Sequence, residues 1–217
     1  MPNAVAARKQ MTYQQVRAGS VLPTEVLNAV EQLPRERFVP EAWQGAAYAD
    51  LAIPLGFGQH MLTPTVIGHI LQAVTVRKRD TVLEVGTGSG YLTACLALLG
   101  GHVHSLEILP DLATLARQHL KSAGIGNAQV EEEDVFNWHP AAPAYDVIVL
   151  TGSLPVYDAR FETMLKPGGR LFVTFGTAPV MEAQLVRRLA QGRDVHSLFE
   201  TELDPLQHAA SAPRFAF

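Results

Sequence analysis

Three glycines at alternate positions, Gly86, Gly88 and Gly90, break the segment VLEVGTGSGYL (residues 82–92) between an apolar run and a helix-like one. Glycine adopts backbone angles closed to other residues and has no side chain. A ligand can therefore lie against the main chain where the next helix offers unpaired N–H groups. Two acids end the next strand-like runs: Glu107 closes HVHSLE, 21 residues after Gly86, and Asp134 follows AQVEEE. Either could be an exposed strand-end charge, and the run Glu131 to Asp134 reads first as a solvated strand end. Their placement on successive strand ends nevertheless brings both to the sheet edge that carries the glycine loop.

Upstream, GQHMLTP (residues 58–64) sets a histidine, a methionine, a leucine and a threonine just before a helix. His60, beside a reactive ligand, could act as a base toward a hydroxyl, amine or thiol; the alternative is a solvent-facing loop histidine. Thr63 could offer its hydroxyl to a substrate or cap the following helix, and Met61 reads as core packing.

These residues need a framework. The runs TVLEVG, HVHSLEI, AQVEEED, YDVIVLT and RLFVTFG alternate with helix-like segments such as PDLATLARQHLKSAG and ARFETMLKPGG. Alternation on this scale predicts an α/β fold, a mostly parallel sheet with helices on both faces. Ahead of it, helices are expected over residues 9–17 and 23–32, the second with Val26, Leu27 and Val30 on one side and Leu22 before it. Residues 35–59 are rich in Pro, Gly and aromatics without a period, which predicts an irregular covering loop. Thr63 and Pro64 mark the start of a helix over residues 63–74. The tail from Met181 is ambiguous between helix and strand, with a hairpin turn favoured at residues 191–194. One domain is expected over residues 1–217: helices and covering loop to 62, a cofactor-binding core over 63–180, and the tail.

The form E-x-G-x-G-x-G, with Glu84 two residues before Gly86, resembles the first motif of S-adenosylmethionine-dependent methyltransferases of the Rossmann-like class. A dinucleotide fingerprint would carry its third glycine where this chain has Tyr91, which disfavours a nicotinamide oxidoreductase. LKPGGRL (residues 165–171) resembles the turn before the fifth strand of these methyltransferases. Taken in order, RERFVPE, AYADLAIPLGFGQ, the helix from Thr63, VLEVGTGSGYLTA, YDVIVLTGSLP and LKPGGRLFVTFG are similar to the protein-L-isoaspartate O-methyltransferase family over nearly the whole chain.

That resemblance implies a class I methyltransferase fold with an N-terminal helical extension and a tail of added strands. It implies S-adenosyl-L-methionine as methyl donor, S-adenosyl-L-homocysteine as product, and isoaspartyl carboxylates of damaged proteins as acceptors. Glu84, Gly86, Gly88, Gly90, Tyr91 and Thr151 are then expected around the cofactor, with Glu107 accepting from both ribose hydroxyls and Asp134 from the adenine amino group. Thr151, Gly152 and Ser153 match a small-residue stretch bordering the family's active site, or form a plain strand-to-loop turn.

The segment GQHMLTP departs from the family, which usually reads GQTISxP with the serine hydroxyl at the substrate carboxylate. Leu62 occupies the serine position and His60 the threonine position. A leucine donates no hydrogen bond, so one substrate contact is missing unless Thr63 supplies it. Methyl transfer to a carboxylate, ionised at neutral pH with a pKa of ~4, needs no general base. Rate then comes from positioning, for which effective molarities reach about 10⁵ M or more. His60, Leu62 and Thr63 are the candidate catalytic positions. Two alternatives remain open beside the isoaspartyl carboxylate: another acceptor with His60 as base, or a cofactor-binding homologue without turnover.

Composition narrows the classes further. Seventeen basic and 21 acidic side chains give a net charge of −4 with no basic run, so nucleic acid is not an expected partner. Cys95 is the single cysteine, which excludes an intrachain disulfide and multi-cysteine metal sites. His102 and His104 share a strand face without a third ligand nearby, and no metal is expected. The opening MPNAVAARKQ lacks an apolar core and no apolar stretch approaches ~18 residues, so neither a signal peptide nor a membrane span is expected. A cytoplasmic protein with protein or peptide substrates is the expectation.

Overall fold

The computed structural model describes residues 4–17, 23–140 and 144–211. Helix α1 (Ala4–Met11) runs into a π-helical turn (Thr12–Val16), and α2 (Thr24–Gln32) follows. The first helix thus starts ahead of Lys9, and Leu22 lies outside the described residues. Helix α2 buries Val26, Leu27, Ala29 and Val30, the face expected from the spacing.

The stretch from Arg35 is more ordered than its composition suggests. After short 3₁₀ turns at Arg35–Arg37 and Glu41–Ala46, it forms an antiparallel hairpin of β1 (Ile53–Gly56) and β2 (Gln59–Met61). His60 lies opposite Pro54, and Met61 is buried opposite Ile53. Strands of three and four residues are too short to show a period of two, which is why the sequence predicts a loop here. Helix α3 (Pro64–Val74) starts where the Thr63 hydroxyl accepts from the Val66 N–H at 3.2 Å, with Pro64 in the first turn where its missing N–H costs nothing.

The core then alternates β3 (Thr81–Val85), α4 (Tyr91–Leu99), β4 (His102–Glu107), α5 (Pro110–Ser122), β5 (Ala128–Glu132), β6 (Tyr145–Leu154), α6 (Arg160–Met164) and β7 (Leu165–Thr177). The tail supplies β8 (Val180–Arg188) and β9 (Arg193–Glu200), joined by a turn in which the Leu189 N–H donates to Gly192 O. The sheet runs β5-β4-β3-β6-β7-β8-β9, parallel through β7 and antiparallel beyond it. The residues LKPGG, expected as a turn, enter β7 instead, where its register against β6 shifts between Tyr145 and Val147.

Period-two alternation divides the strand residues between two cores. Val82, Val103, Val147, Val149, Phe172 and Leu185 face the larger one, shared with the helices up to α5. Leu83, Leu106, Ile148, Leu150, Leu171 and Val173 face the smaller one, shared with Phe161 and Met164 of α6. Arg170 of β7 ties the far end of the sheet together. Its guanidinium donates to Asp80 Oδ2 at 2.7 Å and to Thr75 O at 2.8 Å just after α3.

The chain lays down β3 first, builds outward to β5, and returns to β6 on the other side of β3. Loops leaving β3 and β6 therefore diverge, and a crevice opens at their carboxyl ends. This crevice is where the glycine loop lies.

Candidate active site

The glycine loop forms the floor of a cavity of about 350 Å³. Gly86 and Gly88 have φ of 91° and 54°, angles that side-chain-bearing residues rarely adopt, and both border the cavity. A Cβ on Gly86 would also fall 2.3 Å from Thr151 Oγ1. That hydroxyl is held close because it reaches the carbonyls of Val85 at 2.9 Å and Gly86 at 2.7 Å. Thr151 thus fixes the entrance of the loop through its own hydrogen bonds.

Gly90 lies elsewhere. It does not border the cavity; it enters α4 at a φ of 84°, and a Cβ there would meet Ala116 of α5 at 3.3 Å, so this glycine serves the turn into α4 and its close packing on α5. Tyr91 edges the cavity, but its ring is buried, with Phe38 in an edge contact at 5.3 Å and the Arg35 guanidinium over its face at 5.0 Å. The residue is part of the packing that carries the loop.

Two buried carboxylates hold the loop from beneath. Glu107, at the end of β4, accepts from the Gly88 N–H at 2.8 Å through Oε2 and from the Leu109 N–H at 3.0 Å through Oε1. Burial raises its pKa and these backbone donors oppose the rise. Glu84 Oε2 accepts from the hydroxyls of Thr93 at 2.5 Å and Ser105 at 2.6 Å, and Ser105 in turn meets Thr87 Oγ1 at 2.6 Å. Its Oε1 is buried without a partner among the described residues, and burial pushes the carboxyl up to about 7.

Asp134 borders the cavity two residues past β5. Its Oδ1 accepts from the Phe136 N–H at 2.9 Å, and its Oδ2 meets Asn137 Nδ2 and His208 Nδ1, each at 2.8 Å. His208 comes from the tail, whose residues 201–209 cross the mouth of the cavity as a strap. Asp204 of this strap accepts through Oδ2 from the His60 N–H at 2.8 Å and meets His60 Nδ1 at 3.0 Å. The strap is laid along β6 by bonds from Ser153 N–H to Asp204 O and from Leu206 N–H to Ser153 O. Ser153 Oγ donates to Leu203 O at 3.2 Å, so its hydroxyl faces the strap and not a ligand.

The hairpin supplies the remaining wall. His60, Leu62 and Thr63 all border the cavity. Leu62 is packed against the larger core, and its carbonyl accepts from Arg35 Nη2 at 2.8 Å. Arg35 is wholly buried and also donates through Nε to Ala47 O at 2.9 Å; burial lowers its pKa. It pins the hairpin to the covering segment. The sequence does not single out Arg35, Asp204 or His208: Arg35 lies 27 residues from Leu62, Asp204 lies 144 from His60, and no local pattern marks such contacts.

Among the described residues no group of three or more His, Cys, Asp or Glu side chains is placed to hold a metal. His104 is engaged by Tyr145 Oη at 2.8 Å and Glu131 at 2.7 Å. No described helix is long and apolar enough to cross a membrane.

Residues 6–203 match the family model described as protein-L-isoaspartate(D-aspartate) O-methyltransferase (PCMT). The chain is 36% identical over 191 residues to a protein-L-isoaspartate O-methyltransferase of Aliivibrio salmonicida, covering 88% of this chain and 90% of that one. It is 39% identical over 191 residues to one of Anaeromyxobacter dehalogenans, covering 86% and 91%. Its fold is similar to that of a protein-L-isoaspartate O-methyltransferase from Plasmodium falciparum, solved in complex with S-adenosyl-L-homocysteine. That match has a TM-score of 0.81 at 19% identity, covering 92% of this chain and 98% of the other.

Proposed function

The chain belongs to the protein-L-isoaspartate(D-aspartate) O-methyltransferase family, and from that premise we infer that it transfers a methyl group from S-adenosyl-L-methionine to the free carboxylate of isoaspartyl residues in proteins. The observation that carries the assignment within this chain is the convergence, in one cavity, of a glycine floor, the anchored carboxylate of Glu107 and the carboxylate of Asp134.

The residues present fit such a cofactor. Gly86 and Gly88 leave the floor bare of side chains, so an adenosyl group can lie against the backbone. Glu107 has one acceptor direction of each oxygen taken by a backbone N–H, which leaves the others for the two ribose hydroxyls. Asp134 is assigned to the adenine amino group, which competes with His208 for Oδ2. Glu84 and Thr151 support the floor from behind, and Gly90 and Tyr91 act through packing.

When bound, the cofactor supplies an electrophilic methyl group on its sulfonium. The acceptor carboxylate is ionised at neutral pH, so no side chain has to remove a proton before attack. The chain contributes alignment and exclusion of water, the strap at residues 201–209 covering one side and the hairpin the other. Thr63 caps α3 through its oxygen and keeps its own proton for donation at the cavity edge. We place this reaction in the cytoplasm, on protein and peptide acceptors; the lone Cys95, buried, suits a reducing compartment.

The test is labelled methyl transfer from S-adenosyl-L-methionine to a peptide containing isoaspartate, against the same peptide with normal aspartate. Transfer confined to the isoaspartyl peptide is expected. Equal transfer to both, or none from protein that binds the cofactor, would overturn the assignment.

A further inference from the structure

Among the described residues, the ionisable side chains on the cavity wall other than His60 and Tyr91 are acids: Glu84, Glu107, Glu133, Asp134, Glu202 and Asp204. The Tyr91 phenol is buried, and burial raises its pKa. His60 is therefore the one wall side chain described that can carry positive charge. The acceptor assigned above is itself an anion, and Leu62, on the same wall as His60, has no side-chain donor to offer it. A carboxylate entering beside Asp204 meets a like charge, which favours uptake of a proton at the site.

The hairpin and strap bring one group to the site that can take that proton. An ionised Asp204 can only accept, so the ring nitrogen facing it, Nδ1, carries a proton whenever they are hydrogen bonded. In the neutral ring, Nε2 then presents an unshared pair, which repels a carboxylate. Protonated at Nε2 as well, the ring donates to Asp204 at one end and to an incoming carboxylate at the other. The backbone N–H of His60 donates to the same Asp204 oxygen at 2.8 Å, so the residue is tied to the strap by two bonds, and it borders the cavity.

We propose that His60, held by Asp204, receives the acceptor carboxylate as an imidazolium, so that each isoaspartyl substrate binds together with one proton. This rests on the isoaspartyl assignment above and adds how the carboxylate is recognised without the serine. The charged partner of His60 is Asp204, and Glu202 of the same strap also borders the cavity. The wall residues contributed by β1, α3 and β6, among them Leu55, Val66, Thr151 and Gly152, bring no charge. His60 is a substrate-binding group in this scheme and takes no proton from the acceptor.

The consequence is a separation between KM and kcat. Because each acceptor enters with one proton, KM for the peptide rises with pH, by up to about tenfold per pH unit, while kcat, which reports the complex already protonated, stays flat. The experiment measures initial rates of methyl transfer to a blocked isoaspartyl peptide with no other group titrating between about pH 6 and pH 9. It uses saturating S-adenosyl-L-methionine, with the cofactor's affinity followed by calorimetry at each pH. His60→Gln, a neutral donor at every pH, is run in parallel. The expected result is a rising KM in the unaltered protein and a pH-independent KM in His60→Gln. A pH-independent KM in the unaltered protein, with isoaspartyl transfer proceeding, overturns the proton-linked scheme and leaves the acceptor assignment standing. A rising KM that persists in His60→Gln also overturns it, by placing the proton on another group. No isoaspartyl transfer at any pH from cofactor-bound protein overturns both.

Discussion

Glu84 lies wholly buried in β3, with two hydroxyl donors on one oxygen and nothing described on the other. Burial outweighs the two hydrogen bonds, and the carboxyl is raised from 4.5 to about 7, with a small added push from Glu107. In the unfolded chain the group ionises near its ordinary value. Between the two values the folded protein binds the extra proton, so stability declines as pH rises. The contribution is fully present below the unfolded value and is lost by the time pH has risen through about 7. At 1.36 kcal/mol per pKa unit, the whole loss is about 3 kcal/mol.

Glu84→Gln keeps the shape and offers an amide oxygen to the same hydroxyls while removing the charge. Urea unfolding of the ligand-free protein and of the variant, at about pH 5 and pH 8, isolates the effect because every other titrating group is common to both. The stability of Glu84→Gln relative to the parent should increase by about 2–3 kcal/mol from the lower to the higher pH. A difference independent of pH, or one that grows in the opposite direction, would refute the reasoning and mean that Glu84 is ionised in the folded protein at neutral pH.

Four further outcomes are expected. Glu107→Ala removes an acceptor of charge-assisted hydrogen bonds and the anchor of Gly88; cofactor affinity by calorimetry should fall about 10- to 100-fold, and an undiminished affinity sinks the ribose assignment. Gly86→Ala should abolish cofactor binding because its methyl group would collide with Thr151 Oγ1, whereas Gly88→Ala, whose nearest obstacle is the flexible Leu55 Cδ1 at 3.2 Å, should weaken it less. The reverse order would show that the floor is not fixed by Thr151. Arg170→Met strips a largely buried Asp80 of its cation and should lower stability to urea by about 3–5 kcal/mol, a loss under 1 kcal/mol being inconsistent with the burial described. Leu62→Ser supplies a neutral donor, worth about 1 kcal/mol, and should lower KM for the isoaspartyl peptide about fivefold with kcat little changed; an increased KM would indicate that the Leu62 side chain itself contacts the acceptor.

The parts of this site that are legible in the sequence are those written in consecutive residues. Gly86 and Gly88 after an apolar strand, Glu107 at the next strand end and Thr63 before Pro64 each declare their local geometry, and the structure places them as expected. Gly90 shares the positive φ of the pattern, at 84°, but what it touches is Ala116 on another helix and not the cavity. The β1–β2 hairpin escapes notice because two very short strands leave no period, and the turn between them runs at positive φ through Gly56, Phe57 and Gly58. The tail is ambiguous by pattern because β9 is an edge strand with both faces largely exposed. The charge relation between His60 and Asp204 arises only when the last strand has turned back across the sheet.

That return of the chain sets the two sides of the cavity under different rules of change. On the glycine floor each group is determined by several neighbours at once, as where Thr151, Gly86 and Val85 share one hydroxyl, and a single substitution disturbs them all. The strap is attached mainly through backbone bonds to Ser153, and most of its side chains are exposed or half-buried, so exchanging them alters what the cavity presents at small cost to folding. Exchanges at Asp204 reach the His60 wall and exchanges at His208 reach Asp134, so the same segment can retune either end of the cavity while the glycine floor stays fixed.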